Sequence, residues 1–235
     1  MRNVYIGFDA REHVAWGVCA QSMLAHAKKE IIQEPVSATA MRAFGLYRRP
    51  ESRRDGVAWD EISNAPMSTD FSLARFFVCG LKTKGWSLFC DCDFLFRDDV
   101  NKLFDLADKR YAERYAVMCV QHDHQPVESQ KMDGQVQTTY PRKNWSSLML
   151  INHSHPSVQA LTEHEANTMT GLDLHGFAWL YDHEIGALPT EWNWLEGSSN
   201  PKINPKAVHF TRGTPDMKGY ESVPYANEWW NYARR

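Results

Sequence analysis

Two aspartates, Asp91 and Asp93, stand where an apolar run of the sequence ends. The run from Trp86 to Cys90 has the length and composition of a buried strand. Side chains alternate along a strand, so Asp91 and Asp93 point to one side and Cys92 to the other. Two carboxylates at the carboxyl end of such a strand suit Mg²⁺ or Mn²⁺ that also binds the phosphates of a substrate. The pattern therefore indicates a metal-diphosphate site, although an exposed turn with two solvated aspartates would give the same pattern.

Further residues with suitable chemistry lie elsewhere in the chain. Arg75 precedes the aspartate pair and could neutralise a diphosphate. His209 offers a nitrogen ligand to the same metal, Gly213 could admit a phosphate to the backbone, and Lys218 could neutralise it. A single histidine or a glycine-lysine pair is more often structural, so these residues carry weight only as a set.

Strands and helices alternate along the sequence, and this order must position the reactive residues. Apolar runs predict strands at residues 3–8, 31–38, 86–91, 116–120, 147–151 and 207–210. Helical spacing predicts helices after Asp9, around Arg75, and from Asp98 or Asp99. The polar segment 48–67 is typical of a mobile loop; its basic residues could close over a nucleotide, although a solvated loop is the more common outcome for such a segment. The alternation favours an α/β fold with a mostly parallel central sheet and helices on both faces.

Composition restricts the function classes. A chain of 235 residues with 43% hydrophobic residues is long enough for one domain with a full core. A formal net charge of −3 gives no reason to expect a nucleic-acid surface. The five cysteines form an odd set without zinc-site spacing, so we expect reduced packing residues in a cytoplasmic protein. The first residues lack the features of a signal peptide, and no apolar stretch approaches about 18 residues.

In this order, the motifs resemble those of the metal-dependent GT-A glycosyltransferases, most closely the glycogenin and lipopolysaccharide galactosyltransferase type. That family has an N-terminal nucleotide-binding strand, a helix arginine, Asp-x-Asp, an Asn-containing strand (here 144–152), Asp-Gln-Asp, Leu-Pro-x-x-Trp-Asn and His-x-x-Gly-x-x-Lys. Residues 188–193 read Leu-Pro-Thr-Glu-Trp-Asn and match the family pattern outright. The resemblance covers nearly the whole chain.

The resemblance implies a role for each matching residue. It places Phe8, Asp9 and Arg11 at the nucleoside and Arg75 at the diphosphate and donor sugar. It places Asp91, Asp93 and His209 at a Mn²⁺ or Mg²⁺ ion, and Gly213 and Lys218 at the phosphates. It implies a single GT-A domain over 1–235, with a nucleotide-binding half at 1–120 and a half at 121–235 that closes the metal site and receives the acceptor. The donor it favours is UDP-glucose, followed by UDP-galactose, and the acceptor is a hydroxyl of a glycan, lipid or protein.

One segment departs from the family pattern. Asp182-His183-Glu184 stands in place of Asp-Gln-Asp, which faces the anomeric carbon of the sugar. In a retaining reaction, Asp182 or His183 would steady the oxocarbenium-like sugar while the leaving phosphate takes the proton. In an inverting reaction, Glu184 or Asp182 would be the base. Retention is favoured because the surrounding pattern belongs to retaining enzymes. The spacing from Gly213 to Lys218 is also longer than in the family.

Two other function classes remain open. Some phosphohydrolases use Asp-x-Asp with the first aspartate as nucleophile, but their motif usually follows the first strand and continues Gly-Thr, whereas Phe94-Leu95 follow here. A non-catalytic carbohydrate-binding protein could use the nine tryptophans, but it would leave the acid pair and His209 unexplained. His122 and His124 could bind an acceptor or line the donor pocket, but a polar strand exit gives the same pattern. The aromatic-basic segment 229–235 could touch a membrane surface, and a docked helix is the favoured expectation.

Overall fold

The structure is a computed structural model, and it describes residues 2–81, 83–110, 114–123 and 142–234. The strands are β1 (Arg2–Gly7), β2 (Ile31–Val36), β3 (Glu51–Arg54), β4 (Val57–Asp60), β5 (Ala65–Pro66), β6 (Trp86–Cys90), β7 (Phe94–Phe96), β8 (Val117–Cys119), β9 (Leu148–Asn152), β10 (Ile185–Ala187), β11 (Trp194–Leu195) and β12 (Ala207–His209). The helices are α1 (His13–His26), α2 (Ala38–Ala43), α3 (Asn101–Arg110), α4 (Pro156–Ala160), α5 (Glu163–Thr168), α6 (Gly171–His175) and α7 (Ala226–Ala233). Each predicted strand is present, with its ends within two residues of the expected positions.

A six-stranded sheet in the order β10-β8-β9-β6-β1-β2 forms the centre of the fold. Neighbouring strands are parallel except at β9, which runs antiparallel to both β6 and β8. Residues 87–90 of β6 are all buried, and because successive side chains point to opposite faces, both faces of this strand are covered. The predicted α/β fold with a mostly parallel central sheet is confirmed.

A second, three-stranded sheet carries the last strand of the chain to the end of β6. Its order is β11-β12-β7, and β12 is antiparallel to β7 with His209 opposite Phe94. Since β7 begins directly after Asp93, this register places His209 beside the aspartate pair. The sheet shares a second apolar cluster with α1 and α7, in which Trp229 is completely buried. The C-terminal segment is therefore a docked helix, as predicted, over the residues that the structure describes.

The segment 48–67, expected to be a loop, instead forms the antiparallel sheet β3-β4-β5. An Asp-Gly pair connects β3 to β4, and both residues have positive φ, as a tight hairpin turn requires. Arg49 and Asp60 form a two-bonded ion pair whose side chains are 0% and 1% exposed. The second terminal nitrogen of Arg49 donates to the carbonyls of Ala166 and Met169, at 2.8 Å each. The segment is thus fastened to the domain.

This ion pair gives the sheet a pH-dependent stability. Burial alone would raise the pKa of Asp60, but hydrogen bonds from Arg49 and Ser63 hold that pKa below its ordinary value. The contribution of the pair is complete above the ordinary pKa of an aspartate and is lost as the pH falls through the lower, folded-state value.

Replacing Arg49 by Leu should lower the free energy of unfolding by about 3–5 kcal/mol, because it leaves the Asp60 carboxylate buried without its counter-charge. Urea unfolding followed by circular dichroism measures this. Lys102→Leu is the control, since the Lys102–Asp98 pair lies on the surface of α3 and should contribute less than about 1 kcal/mol. Equal losses in the two variants would show that the Arg49 pair does not hold the sheet.

The described helices include none that is both long enough and apolar enough to cross a membrane.

Candidate functional site

Three strands of the central sheet deliver polar residues to one edge. β1 and β6 are parallel with Ile6 opposite Cys90, so Asp9 and Asp91 both follow the carboxyl ends of their strands. β9 runs the other way, and its amino end therefore lies at the same edge. The Asp91 amide donates to the Ser147 carbonyl at 2.9 Å, which joins the two strand ends. Ligands of open α/β sheets bind at this edge.

The three predicted metal ligands lie together at this edge. One carboxylate oxygen of Asp91, one of Asp93 and a ring nitrogen of His209 lie within 4.8 Å of one another. The His209 side chain is 3% exposed and stacks on Phe94 with ring centroids 4.2 Å apart. The Phe210 amide also donates to the Asp93 carbonyl at 3.0 Å, so the backbones on both sides of the cluster are fixed.

A chain of hydrogen bonds determines which nitrogen of His209 carries the proton. The Ser147 hydroxyl lies 2.7 Å from the Asn144 carbonyl, which can only accept, so the hydroxyl donates there. Ser147 Oγ must then accept from the Asn193 amide group, at 2.9 Å. This leaves the Asn193 oxygen facing His209 Nδ1 at 2.9 Å, so Nδ1 is the donor. Nε2 of His209 consequently presents a lone pair unless it is also protonated.

That lone pair faces a carboxylate. Nε2 of His209 lies 3.2 Å from Asp93 Oδ1, and two acceptors at that distance repel unless a cation or a proton lies between them. Two carboxylates and one neutral imidazole form a donor set that suits Mn²⁺ or Mg²⁺. The residues at this position therefore fit a divalent metal ion.

Arg75 orients one of the carboxylates. It lies on a 3-10 helix, Ala74–Val78, rather than on the regular helix expected from the sequence. Its terminal nitrogen NH1 is 2.7 Å from Asp91 Oδ1 and 2.9 Å from the Ser146 carbonyl, and its Nε donates to the Ser72 carbonyl at 3.0 Å. Two phenylalanine rings pack against the guanidinium. A buried positive charge thus lies directly beside the metal-binding cluster.

The residues predicted for the nucleoside occupy the neighbouring strand end. The Asp9 carboxylate accepts hydrogen bonds from the Arg11 backbone and side chain and from the Asp70 amide. Burial alone would raise the pKa of Asp9, and these bonds hold it below its ordinary value. Phe8 packs edge-on against Trp16, with ring centroids 6.0 Å apart. Their role in nucleoside binding stays a prediction.

Sequence reasoning missed Glu12, which adds a fourth acid to this edge. Its carboxylate accepts a hydrogen bond from the Cys92 thiol at 3.0 Å. Burial, and after it the negative charges of Asp93, Asp9 and Asp91, raise the pKa of Glu12 to about 7. The local excess of negative charge favours a divalent cation. The proximity of Glu12 to Asp9 in sequence was the signal that could have identified it.

Gly213 and Lys218 follow β12 in a turn-rich segment. The Gly213 amide donates to the Phe210 carbonyl at 3.1 Å, and a Cβ at this position would lie 2.7 Å from the Tyr220 ring, so the close approach of that ring requires glycine. Lys218 is exposed. Their predicted contact with phosphate stays a prediction.

The structure does not bring Glu184 to the metal-binding cluster, in contrast to the sequence expectation. Glu184 precedes β10, and through the strand registers Ile185 lies level with Ser87 at the start of β6. Glu184 is one residue earlier, so Asp91 is about 16 Å further along the strand direction and three strands away. The Glu184 carboxylate instead accepts hydrogen bonds from the Ser157 hydroxyl at 2.6 Å and the Tyr181 amide at 2.9 Å.

The other members of that segment are also oriented by local contacts. The Asp182 carboxylate is exposed and pairs with Arg142, and His183 stacks on Tyr181.

His122 follows β8 at the same edge as Asp91, and its carbonyl accepts from the Trp145 ring nitrogen at 3.0 Å. His124 lies outside the described residues.

Asn193→Ala should weaken Mn²⁺ binding by about 10–100-fold, because it removes the acceptor that sets the tautomer and orientation of His209. Isothermal titration calorimetry measures the affinity. Asn152→Ala is a matched control: Asn152 is also buried and hydrogen-bonded to a backbone carbonyl, but it lies at the opposite end of β9. Equal Mn²⁺ affinities in the two variants would remove the proposed role of Asn193.

The chain is similar in sequence to a plant protein over nearly its whole length. It is 41% identical to Protein CDI from Arabidopsis thaliana over 234 residues, which cover 97% of this chain and 84% of that protein. No protein-family model matches the chain.

Solved structures of glycosyltransferases share the fold. The galactosyltransferase LgtC, in complex with donor and acceptor sugar analogs, superposes with a TM-score of 0.60 at 13% identity, over 99% of this chain and 95% of LgtC. Mouse xyloside xylosyltransferase 1 gives a TM-score of 0.54 at 13% identity, over 91% of this chain and 99% of that protein. The chain therefore has the GT-A fold that the sequence motifs predicted.

Proposed function

The chain belongs to the family of Protein CDI from Arabidopsis thaliana, and we propose that it is a metal-dependent, retaining glycosyltransferase. It moves a hexose from a nucleoside diphosphate sugar to a hydroxyl acceptor on a glycan, lipid or protein. UDP-glucose is the first candidate donor and UDP-galactose the second, on the basis of the motif resemblance.

The observation that carries this proposal is the approach of His209 Nε2 to Asp93 Oδ1 at the carboxyl edge of the sheet. A hydrogen-bond chain through Asn193 directs a lone pair toward a carboxylate, and a second carboxylate, Asp91, completes the donor set. A neutral imidazole and the carboxylates repel each other in this arrangement, and a divalent cation between them makes it favourable, as a second proton on His209 also would. Its position at the strand ends is where a nucleotide would lie in a fold of this kind.

Different residues of the chain contact different parts of the donor in this proposal. When bound, Mn²⁺ or Mg²⁺ supplies Lewis-acid stabilisation of the departing diphosphate. Arg75 holds Asp91 in place and adds positive charge beside it, which reduces the repulsion between the carboxylates and an anionic donor. Lys218 is the proposed second cation at the phosphates, and Phe8, Asp9 and Arg11 form the proposed nucleoside site.

Retention is the outcome that the geometry supports better. The acceptor oxygen bonds to the anomeric carbon as the bond to the diphosphate breaks, and the hydroxyl proton passes to a diphosphate oxygen. No carboxylate base is required in this scheme. Glu184, one of the two candidate bases for an inverting reaction, is bound by Ser157 and Tyr181 at the other edge of the sheet. Asp182 is exposed and paired with Arg142.

UDP-glucose or UDP-galactose should raise the melting temperature of the protein only when Mn²⁺ or Mg²⁺ is present, since the carboxylates and the diphosphate repel each other without a cation. Asp93→Asn should abolish both this shift and turnover while the melting temperature of the ligand-free protein changes little. Asp98→Asn, which alters a surface acid paired with Lys102, is the control and should behave as wild type. Nucleotide affinity that EDTA does not change would contradict the metal assignment, and phosphate release from simple esters would favour a phosphohydrolase.

Glu184→Gln should retain measurable turnover and yield the same product anomer as wild type, because Glu184 lies far from the cluster. Loss of a general base would instead cost about 10²–10⁴-fold in rate. Proton NMR of the first-formed product, read before mutarotation, identifies the anomer. A β-linked product from an α-linked donor would establish inversion and overturn the retaining scheme.

A further inference from the structure

His175, the last residue of α6, contacts the groups that hold Arg75. Its Nδ1 is 2.8 Å from the Ser146 hydroxyl, and its ring packs edge-on against Phe76 with centroids 5.1 Å apart. Phe76 directly follows Arg75 in the chain, and the Ser146 carbonyl accepts from Arg75 NH1 at 2.9 Å. His175 therefore contacts one residue that hydrogen-bonds to the guanidinium, Ser146, and the residue that follows Arg75 in the chain.

The geometry of Arg75 NH1 makes this support important for Asp91. This nitrogen carries two hydrogens in the plane of the guanidinium, and it has two acceptors nearby: the Ser146 carbonyl at 2.9 Å and Asp91 Oδ1 at 2.7 Å. The nitrogen donates a hydrogen bond to the carbonyl and forms an ion pair with the carboxylate, so it contacts both groups at once. A displacement of Ser146 would rotate the guanidinium and release the carboxylate from its orientation.

We propose that His175 is a positioning residue of the donor site, which acts through Ser146 and Arg75 to orient Asp91 for the metal and the donor diphosphate. The proposal rests on the function proposed above, and it adds a residue that neither the sequence motifs nor the resemblance assigned. His175 lies seven residues before Asp182, in the same stretch of chain in which the sequence departs from the family pattern.

The protonation state of His175 is compatible with this role. Burial, and after it the positive charge of Arg75, lower the pKa of His175 to about 3. The imidazole is therefore neutral near pH 7, and it does not repel the guanidinium. A neutral ring also keeps one N–H and one lone pair, so Nδ1 can bond to a hydroxyl in either sense.

The local structure holds His175 firmly. Thr170 caps α6 by accepting from the Asp173 amide, and its hydroxyl donates to the Asp173 carboxylate at 2.6 Å. At the other end, the Gly176 amide donates to the Leu172 carbonyl at 2.8 Å, and the Gly176 carbonyl accepts from Arg142 at 2.9 Å. The backbone on both sides of the imidazole is thus fixed, which a positioning role requires.

The chain offers a matched control at the other end of the same sheet. Nε2 of His153 is 2.7 Å from the Ser87 hydroxyl, so this is a second imidazole-serine pair, and both of its residues are buried. Ser87 lies near the start of β6, whereas Asp91 follows its end. A variant of His153 should therefore lose a comparable hydrogen bond without disturbing the donor site.

The test compares His175→Asn, His175→Gln and His153→Ala with wild type. An asparagine amide can occupy the position of the imidazole Nδ1, whereas a glutamine amide extends to the position of Nε2. We expect His175→Gln to weaken Mn²⁺ binding by about 10-fold and to lower kcat with UDP-glucose more than it raises KM. His175→Asn should restore both values to within about 3-fold, and His153→Ala should lower the melting temperature alone.

Three measurements separate the outcomes. Calorimetry measures the Mn²⁺ affinity of each variant, and steady-state kinetics give kcat and KM with UDP-glucose. Crystal structures of ligand-free wild type and His175→Gln show the position of Arg75. Equal Mn²⁺ affinity in all variants, equal defects in the asparagine and glutamine variants, or an unmoved Arg75–Asp91 contact would overturn the role of His175. If wild type binds no Mn²⁺ and uses no nucleotide sugar, the proposed function fails, and the crystal structures still decide whether His175 positions Arg75.

Discussion

The approach of a histidine lone pair to a carboxylate is the interaction on which the site depends. His209 Nε2 and Asp93 Oδ1 lie 3.2 Å apart, and buried hydrogen bonds keep the proton of His209 on its other nitrogen. The direction of these hydrogen bonds is set by the Asn144 carbonyl, which can only accept. Ser147 therefore donates to it and accepts from the Asn193 amide. Two acceptors at this distance require a cation between them, either a divalent metal ion or a second proton on His209.

The strand arrangement makes this approach possible. β6 ends at Asp91, β9 returns antiparallel to supply Ser147, and β12 pairs with β7 so that His209 meets the aspartates. A shift of one residue in the β7–β12 register would turn the imidazole to the other face of the sheet. The buried faces of β6 and the second apolar cluster around Trp229 prevent such a shift.

A second set of contacts orients the carboxylate of Asp91. Arg75 lies between Asp91 and the Ser146 carbonyl, and His175 bonds to the Ser146 hydroxyl. The Asp91 carboxylate is therefore oriented by residues outside the candidate metal-binding set. Residues that contact metal ligands in this way fix the orientation of those ligands, and substituting them often weakens metal binding or activity strongly.

The positions of the main strands, the α/β class and the candidate metal-binding residues could be predicted from the sequence, because apolar runs and the carboxylates that end them are local features. It could not assign the segment 48–67, since the buried pair of Arg49 and Asp60 forms only when that segment meets α5 and its neighbours. It also placed Glu184 with the donor on pattern alone, whereas the strand register puts that residue at the opposite edge. The roles of Glu12 and His175 depend on contacts between distant parts of the chain. Only the tertiary structure decides such contacts, because hydrogen-bond partners far apart in sequence carry no local signal of their pairing.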